Sequence, residues 1–446
     1  MTSNGAKEKS VLGSVAALAA PMILGQAGQV LLQLTDTLML GQVGPVALAG
    51  AGLAGNLMMF ALYFAYGSLG AVAPRVGQLF GAGDTTQTGT AIRAAGRLGF
   101  LIGSLLLLVL CGAAGGLSWL GQPPEVVAIT REYLVLLGFS LLPAMLSLAL
   151  GQSLEAVNRP WPVFGFLLLA VVLNAGLNYI LIFGHLGFPA MGLAGAGWAT
   201  LIARCVQLAG LLLWVRRDPA LRVFWTSPKS DADKRETGKL FRLGLPIAGQ
   251  DVLEGGAFAA GTLMLGWIGT VALAANQVTI AIASLAWMFP IALSTATGVR
   301  VAQAIGAGDP KTARRAGLAG IGAGTALMAG CAVIYLSAGR SLAALFTSDP
   351  DVLALAGTLV TIAGIYQISD AVQSISLGAL RGLLDNRIPL VANAICYWVL
   401  SLPTVWLLAF PLGWGATGVW VGYLPWMALT GLFFFVRFLR RTRPAG

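Results

Sequence analysis

The chain has 446 residues, 57% of them hydrophobic and only 10% charged, with a mean hydropathy of +0.82 and a formal net charge of +10. A soluble domain carries about 25% charged residues, so this composition excludes a soluble fold and leaves an all-α polytopic membrane protein. The apolar runs are long and continuous, which excludes an outer-membrane barrel. The positive charges fall in short connecting segments, the pattern of topology signals, so they do not read as a nucleic-acid surface.

The polar start "MTSNGAKEKS" leads straight into a long apolar run and lacks the short apolar core and small-residue cleavage site of a signal peptide. Twelve transmembrane spans are expected, over 11–38, 46–72, 88–113, 126–150, 160–183, 193–215, 240–267, 271–298, 313–337, 352–378, 388–410 and 415–437. An even number puts both termini on one side. On that side fall 24 of the 27 Lys and Arg; Arg131 and Arg340 lie on the other, and Arg204 is left within a span. This bias predicts cytoplasmic termini and a cell (inner) membrane location. The four cysteines lie in apolar runs with no C-x-x-C spacing, so neither a disulfide nor a metal is implied.

The only long polar connection, "RRDPALRVFWTSPKSDADKRETGK" (216–239), divides the chain into two lobes, 1–215 and 240–446. The lobes resemble each other at an offset of 225: "TLMLG" at 37–41 and 262–266, "VALA" at 46–49 and 271–274, "RVGQLFGAGD" at 75–84 and "RVAQAIGAGD" at 300–309. Six spans per lobe make this a parallel repeat of two six-helix bundles, and transporter architecture then predicts a central cleft and rocking motion. Pro21 and Pro246 fall at matching places in the first helix of each lobe, where each frees a carbonyl and can bend its helix.

Four acids fall inside the predicted spans: Asp36, Asp251, Glu254 and Asp370. A carboxylate there is costly unless it meets a cavity, a partner or an ion, which makes each a functional candidate. Asp251 and Glu254 are three residues apart and share a helix face. Two close carboxylates either bind a cation or hold a proton. Tyr366 and Asp370 are four apart and can point to one site, and their hard oxygen donors suit Na⁺ as well as a proton. Asp36 ends the polar string "QLTDT", and Asn174 and Asn178, again four apart, can join it in a second polar pocket. At the 225 offset Gly261 replaces Asp36, so the acids are not symmetric although the scaffold is.

These residues bring a family into view. The chain resembles the multidrug and toxic compound extrusion (MATE) family, in its NorM-like branch, through "AAPMILGQ" (19–26), "LTDTLMLGQVG" (34–44), "RVGQLFGAGD", "EAVNRP" (155–160), "FRLGLPIA" (241–248), "RVAQAIGAGD" and "ISDAVQSISLGALRG" (368–382). The resemblance implies secondary active efflux of cationic or amphipathic compounds in exchange for Na⁺ or H⁺, by a monomer without a cofactor. It implies a cation site at Glu254, Asp370 and Tyr366, with Asp36 matching the first-helix acid and Asn174 and Asn178 in the accompanying fifth-helix positions. It assigns nothing to Asp251, where an apolar residue is expected. Other readings fare worse. A major-facilitator transporter lacks its G-x-x-x-D-R loop here, and a lipid or oligosaccharide flippase of related fold calls for more cations in the cavity than Arg204. An intramembrane enzyme lacks any H-E-x-x-H or G-x-S-x-G set, and a channel lacks a filter-like loop.

Overall fold

The computed structural model describes residues 2–219, 221, 224 and 232–443. Of the polar connection 216–239, residues 220, 222, 223 and 225–231 lie outside the described residues. The rest is helical, with no strand among the described residues. The first half contains α1 (Thr2–Val43), α2 (Pro45–Leu69), α3 (Val72–Gly81), α4 (Thr85–Gly116), α5 (Pro124–Ala156), α6 (Pro160–Phe183) and α7 (Gly192–Arg217). The second contains α8 (Ala232–Ile268), α9 (Thr270–Gly306), α10 (Pro310–Ala343) and α11 (Pro350–Gly382). It continues through α12 (Arg387–Ala394), a π-helical segment Ile395–Ser401, α13 (Leu402–Ala409) and α14 (Gly415–Arg441).

Eleven stretches among the described residues are long and apolar enough to cross a membrane. The 37-residue α8, which carries Asp251 and Glu254, is the further long helix expected over 240–267. The helices outrun the predicted spans. The fourth span was expected to end at 150, but α5 runs to Ala156, which puts Glu155 on the same helix.

Helix ends follow local chemistry. Proline opens α2, α5, α6, α10 and α11, where its missing N–H costs nothing. The repeated "GAGD" is a helix-to-helix corner. In each copy a glycine takes a left-handed conformation, Gly83 at φ 72° and Gly308 at φ 73°, which a side chain would oppose. The aspartate then caps the next helix: Asp84 accepts from the Gln87 N–H at 2.8 Å and Asp309 from the Thr312 N–H at 2.9 Å. The backbone therefore repeats where the sequence repeats. Gly44 and Gly269, also 225 apart, share φ values of 140° and 146°.

Packing divides the chain into two compact units, Met1–Ile23 with Gly249–Gly446, and Leu24–Ala248. The divisions fall inside α1 and α8 rather than at the polar connection, two residues beyond Pro21 and two beyond Pro246. Within the second-half unit, α9 and α11 meet at glycines. A Cβ on Gly298 would lie 2.7 Å from the Gly378 carbonyl oxygen, and the Ser294 hydroxyl donates to the Ser374 carbonyl at 2.6 Å. Between membrane helices, close backbone approach of this kind supplies the dispersion energy that water-driven burial supplies elsewhere. In the Leu24–Ala248 unit, α4 and α5 meet likewise at Gly99, whose Cβ would lie 2.8 Å from the Met145 carbonyl oxygen.

Two arginines at the start of the repeated motif hold the ends of these long helices. Arg75 donates to Glu236 near the start of α8 at 2.6 Å, and Arg300 donates to the Ser14 carbonyl of α1 at 3.0 Å. Arg93 adds a forked pair to Asp233, 3.1 and 3.2 Å.

Candidate functional site

Each unit contains a buried polar cluster around one or more of the acids marked by the sequence. In the second-half unit it is built from α8, α11, the π-helical segment and α14. Asp370, 3% exposed, accepts from the Ser374 hydroxyl at 3.0 Å through Oδ1, while Oδ2 is buried with no hydrogen-bond partner among the described residues. Glu254 is half-buried and lies near enough to Asp370, Asp251 and Arg381 to interact with each electrostatically, with the Tyr397 hydroxyl beside its carboxylate. Tyr397 in turn accepts from Gln373 Nε2 at 3.0 Å. Tyr366 faces both Glu254 and Asp370. The structure thus brings Glu254, Asp370 and Tyr366 together.

The aromatic side chains wall this cluster. The Phe258 ring, one turn beyond Glu254, lies 6.4 Å from Tyr366, 5.9 Å from Tyr397 and 5.3 Å from Tyr423. Trp420 stands 6.0 Å from Tyr366 and donates to Asn276 at 3.1 Å. Trp398 Nε1 donates to the Leu253 carbonyl at 3.0 Å and packs at Gly256, which uses the small surface after Glu254. The Tyr423 hydroxyl donates to the Ala257 carbonyl at 2.8 Å and fills the space where a Gly261 side chain would go. Gly261 is the repeat counterpart of Asp36, so Tyr423 explains why no acid stands there.

Asp251 parts company with Glu254. It accepts from Arg381 Nη2 at 3.1 Å. Among the described residues no group of three or more His, Cys, Asp or Glu could hold a metal ion.

The cluster in the Leu24–Ala248 unit joins α1, α6 and α7. Asn178 Nδ2 donates to both Asp36 and Asn174 Oδ1, the latter at 3.1 Å, and Asn174 donates to the Thr200 hydroxyl at 3.4 Å. Asn174 and Asn178 are 1% and 0% exposed. Arg204, isolated by sequence, donates to Gln207 at 3.3 Å and acts electrostatically on Asp36, which in turn acts on Tyr133 of α5. Sequence reasoning missed Tyr397, Tyr133 and Thr200. No local spacing marks them, although a hydroxyl in an apolar run is a signal of the same kind as the acids. The π-helical turn that presents Tyr397 lies just before Pro403, whose missing N–H leaves the Val399 carbonyl without its helical donor, and such turns recur at functional sites.

A family model described as MatE matches this chain twice, over residues 21–180 and 246–407. The chain belongs to the MatE family. Its members are membrane transporters, so this chain is a multi-pass transport protein and not an enzyme. It is 36% identical over 432 residues to a "Probable multidrug resistance protein NorM" of Rhizobium meliloti (strain 1021), which spans 96% of this chain and 92% of the relative. A protein of the same description in Pseudomonas aeruginosa is 36% identical over 426 residues, 92% of this chain and 86% of that one. Among solved structures, the eukaryotic MATE transporter AtDTX14 superposes with a TM-score of 0.86 at 21% identity, covering 98% of this chain and 99% of that one. The Vibrio cholerae MATE transporter VcmN in the bent form gives 0.86 at 22% identity, covering 98% of each chain. These structures share the fold. The two matched segments begin at Pro21 and Pro246, so the family repeat and the offset of 225 coincide.

Proposed function

We propose that this MatE-family transporter is a multidrug efflux antiporter of the cell (inner) membrane, with both termini cytoplasmic, which exports cationic or amphipathic compounds in exchange for Na⁺ or H⁺. The names of its relatives support the drug-efflux reading, and the Lys and Arg bias supports the orientation. The observation that carries the exchange reading is the buried, unpartnered Oδ2 of Asp370 within electrostatic reach of Tyr366 and Glu254. A carboxylate oxygen held away from water with an open lone pair is suited to receive a proton or a hard cation.

In this reading Glu254 and Asp370 hold the driving cation, with Tyr366 and Tyr397 as neighbouring oxygen donors. Asp36, fixed by Asn178, is a second acid able to gain and lose charge during the cycle. Exchange requires the cation and the drug to favour opposite states of the protein, because a ligand indifferent to the two states shifts nothing. Placing negative charge where both a cation and a cationic drug are attracted supplies that opposition by competition.

The experiment is ethidium efflux from proteoliposomes under an inward Na⁺ gradient alone and under a pH gradient alone. Efflux is expected under at least one. Absence under both overturns the antiport reading. Loss in Glu254→Gln and in Asp370→Asn is expected, and near-normal transport in both removes these carboxylates from the mechanism.

A further inference from the structure

Asp251 is left without a role by the site just described, yet it is the most unusual residue of α8, an acid one turn from Glu254 on the same face. Its partner is specific. Arg381 Nη2 bonds Asp251 Oδ1 at 3.1 Å and also reaches Gln250 Oε1 at 3.3 Å, while Gln250 Nε2 donates to the Asn386 carbonyl at 2.9 Å. The guanidinium is thus gripped by consecutive residues of α8. The side chains of Asp251 and Arg381 are 27% and 24% exposed, so the pair is not sealed by its neighbours. Both members act electrostatically on Glu254.

The pair occurs once in the molecule. At the 225 offset Asp251 corresponds to Gln26, and the matched bounds of α5 and α11 set Glu155 opposite Arg381. The repeat therefore offers no structural need for a bridge here, since the other half has neither the same acid nor the same base.

We propose that Asp251 and Arg381 form a resident ion pair whose balanced charge sets the affinity of the Glu254–Asp370 carboxylates for the driving cation. The inference rests on the exchange reading above. Its physics is simple. Among the described residues, the charged and titratable groups facing Glu254 and Asp370 are Asp251 on α8, Arg381 and Tyr366 on α11, and Tyr397 and Cys396 on the π-helical segment, with Tyr423 of α14 against Tyr366. Only Arg381 is a cation. Its charge screens the cluster from Asp251, and Asp251 holds it short of becoming a competing cation at Glu254. Removing either partner leaves a full unit charge uncompensated near the site, and at an effective dielectric near 20 a unit charge anywhere within about 12 Å moves cation affinity by about tenfold or more.

The two single variants are expected to move in opposite directions. R381Q leaves Asp251 uncompensated, deepens the negative field and lowers the half-saturating cation concentration by about tenfold or more. D251N frees the guanidinium and raises it by a similar factor. The double variant returns close to the parent, and R381K, which keeps the charge, moves less than R381Q. A merely structural bridge would send both single variants the same way. Affinity is read twice: from the cation dependence of ethidium efflux, and from equilibrium displacement of bound ethidium by Na⁺ and by protons in detergent. Failure of gradient-driven efflux in the parent protein overturns the antiport reading, while the displacement titrations still report on the pair. Shifts of like sign, or none, in those titrations overturn this proposal.

Discussion

Arg75 and Arg300 stand 225 residues apart at the head of the two "GAGD" motifs, and each holds the start of the first helix of the opposite repeat. Arg75 reaches Glu236 of α8, and Arg300 reaches the Ser14 carbonyl of α1. The compact units divide accordingly, since residues 1–23 pack with the second half and the start of α8 packs with the first. Pro21 and Pro246 lie just before the two points of division, where a missing helical hydrogen bond lets one helix serve two packing environments.

This exchange of helix ends has an energetic signature. The Arg75–Glu236 side chains are 12% and 15% exposed. Losing a hydrogen bond to a largely buried charge costs about 1.5–3 kcal/mol. R75Q and E236Q are each expected to lower thermal stability in detergent by about that amount. The double variant should cost less than their sum, because the two residues share one interaction. Additive losses in a denaturation series would show that they act separately.

Tyr397 gives a test of the second-half cluster independent of its acids. Its hydroxyl links Gln373 to Glu254 from a π-helical turn. Y397F keeps the ring against Phe258 and removes only that oxygen. The cation dependence of efflux is expected to shift by about tenfold or more with protein yield unchanged, toward less cation where protons drive exchange because the hydroxyl stabilises the ionised Glu254, since a hydrogen bond to a charged group contributes about 1.5–3 kcal/mol. An unchanged cation dependence in reconstituted vesicles would remove Tyr397 from the site.

The first-half cluster predicts a graded series. D36N is expected to abolish efflux while leaving a monodisperse folded protein, because the charge is lost but the hydrogen bonding of Asn178 is retained. N178A is expected to impair both, since it strips Asp36 of its donor and Asn174 of its neighbour. Efflux by D36N at the parent rate would confine this cluster to packing.

Glycine substitutions separate packing from propensity by sign. Gly378 lies against the Ser294 backbone, and G378A is expected to destabilise by about 1–3 kcal/mol through overpacking. Gly322 on α10 has nothing within 4 Å of its would-be Cβ, so G322A is expected to stabilise, by up to about 1 kcal/mol of helix propensity. Paired melting curves decide, and equal effects would contradict the close α9–α11 approach.

Asp309 lies in the corner between α9 and α10, where the Thr312 hydroxyl and backbone N–H hold its carboxyl below the ordinary value of 3.8. A carboxyl depressed by folding adds stability that is present above its unfolded value and fades as pH falls through the folded one. D309N keeps a capping side chain and removes the titration. The variant is expected to lose less stability than the parent on acidification below about pH 4. Parallel pH profiles would show that the cap does not titrate with folding.

The sequence by itself determined the class, the helices and the repeat. Hydropathy alone separates membrane spans from connections, because an apolar solvent demands about 20 apolar residues per crossing whatever the helices later pack against. The repeated corner was legible for the same reason: left-handed glycine and capping aspartate are local requirements written in adjacent residues. The acids were legible as exceptions, and Glu254, Asp370 and Asp36 announced themselves by cost. Tertiary structure alone decided which residues surround them. Tyr397 comes from a helix more than a hundred residues beyond Glu254, and its place beside that carboxylate is set by packing that no local pattern encodes. Asp251 and Glu254 read as one pair in sequence, since both obey the same helical spacing. Only the arrival of Arg381 from α11 divides them into an ion-paired carboxylate and one that meets the Tyr397 hydroxyl, because charge balance in a membrane interior depends on what stands across the contact and not on what stands next along the chain.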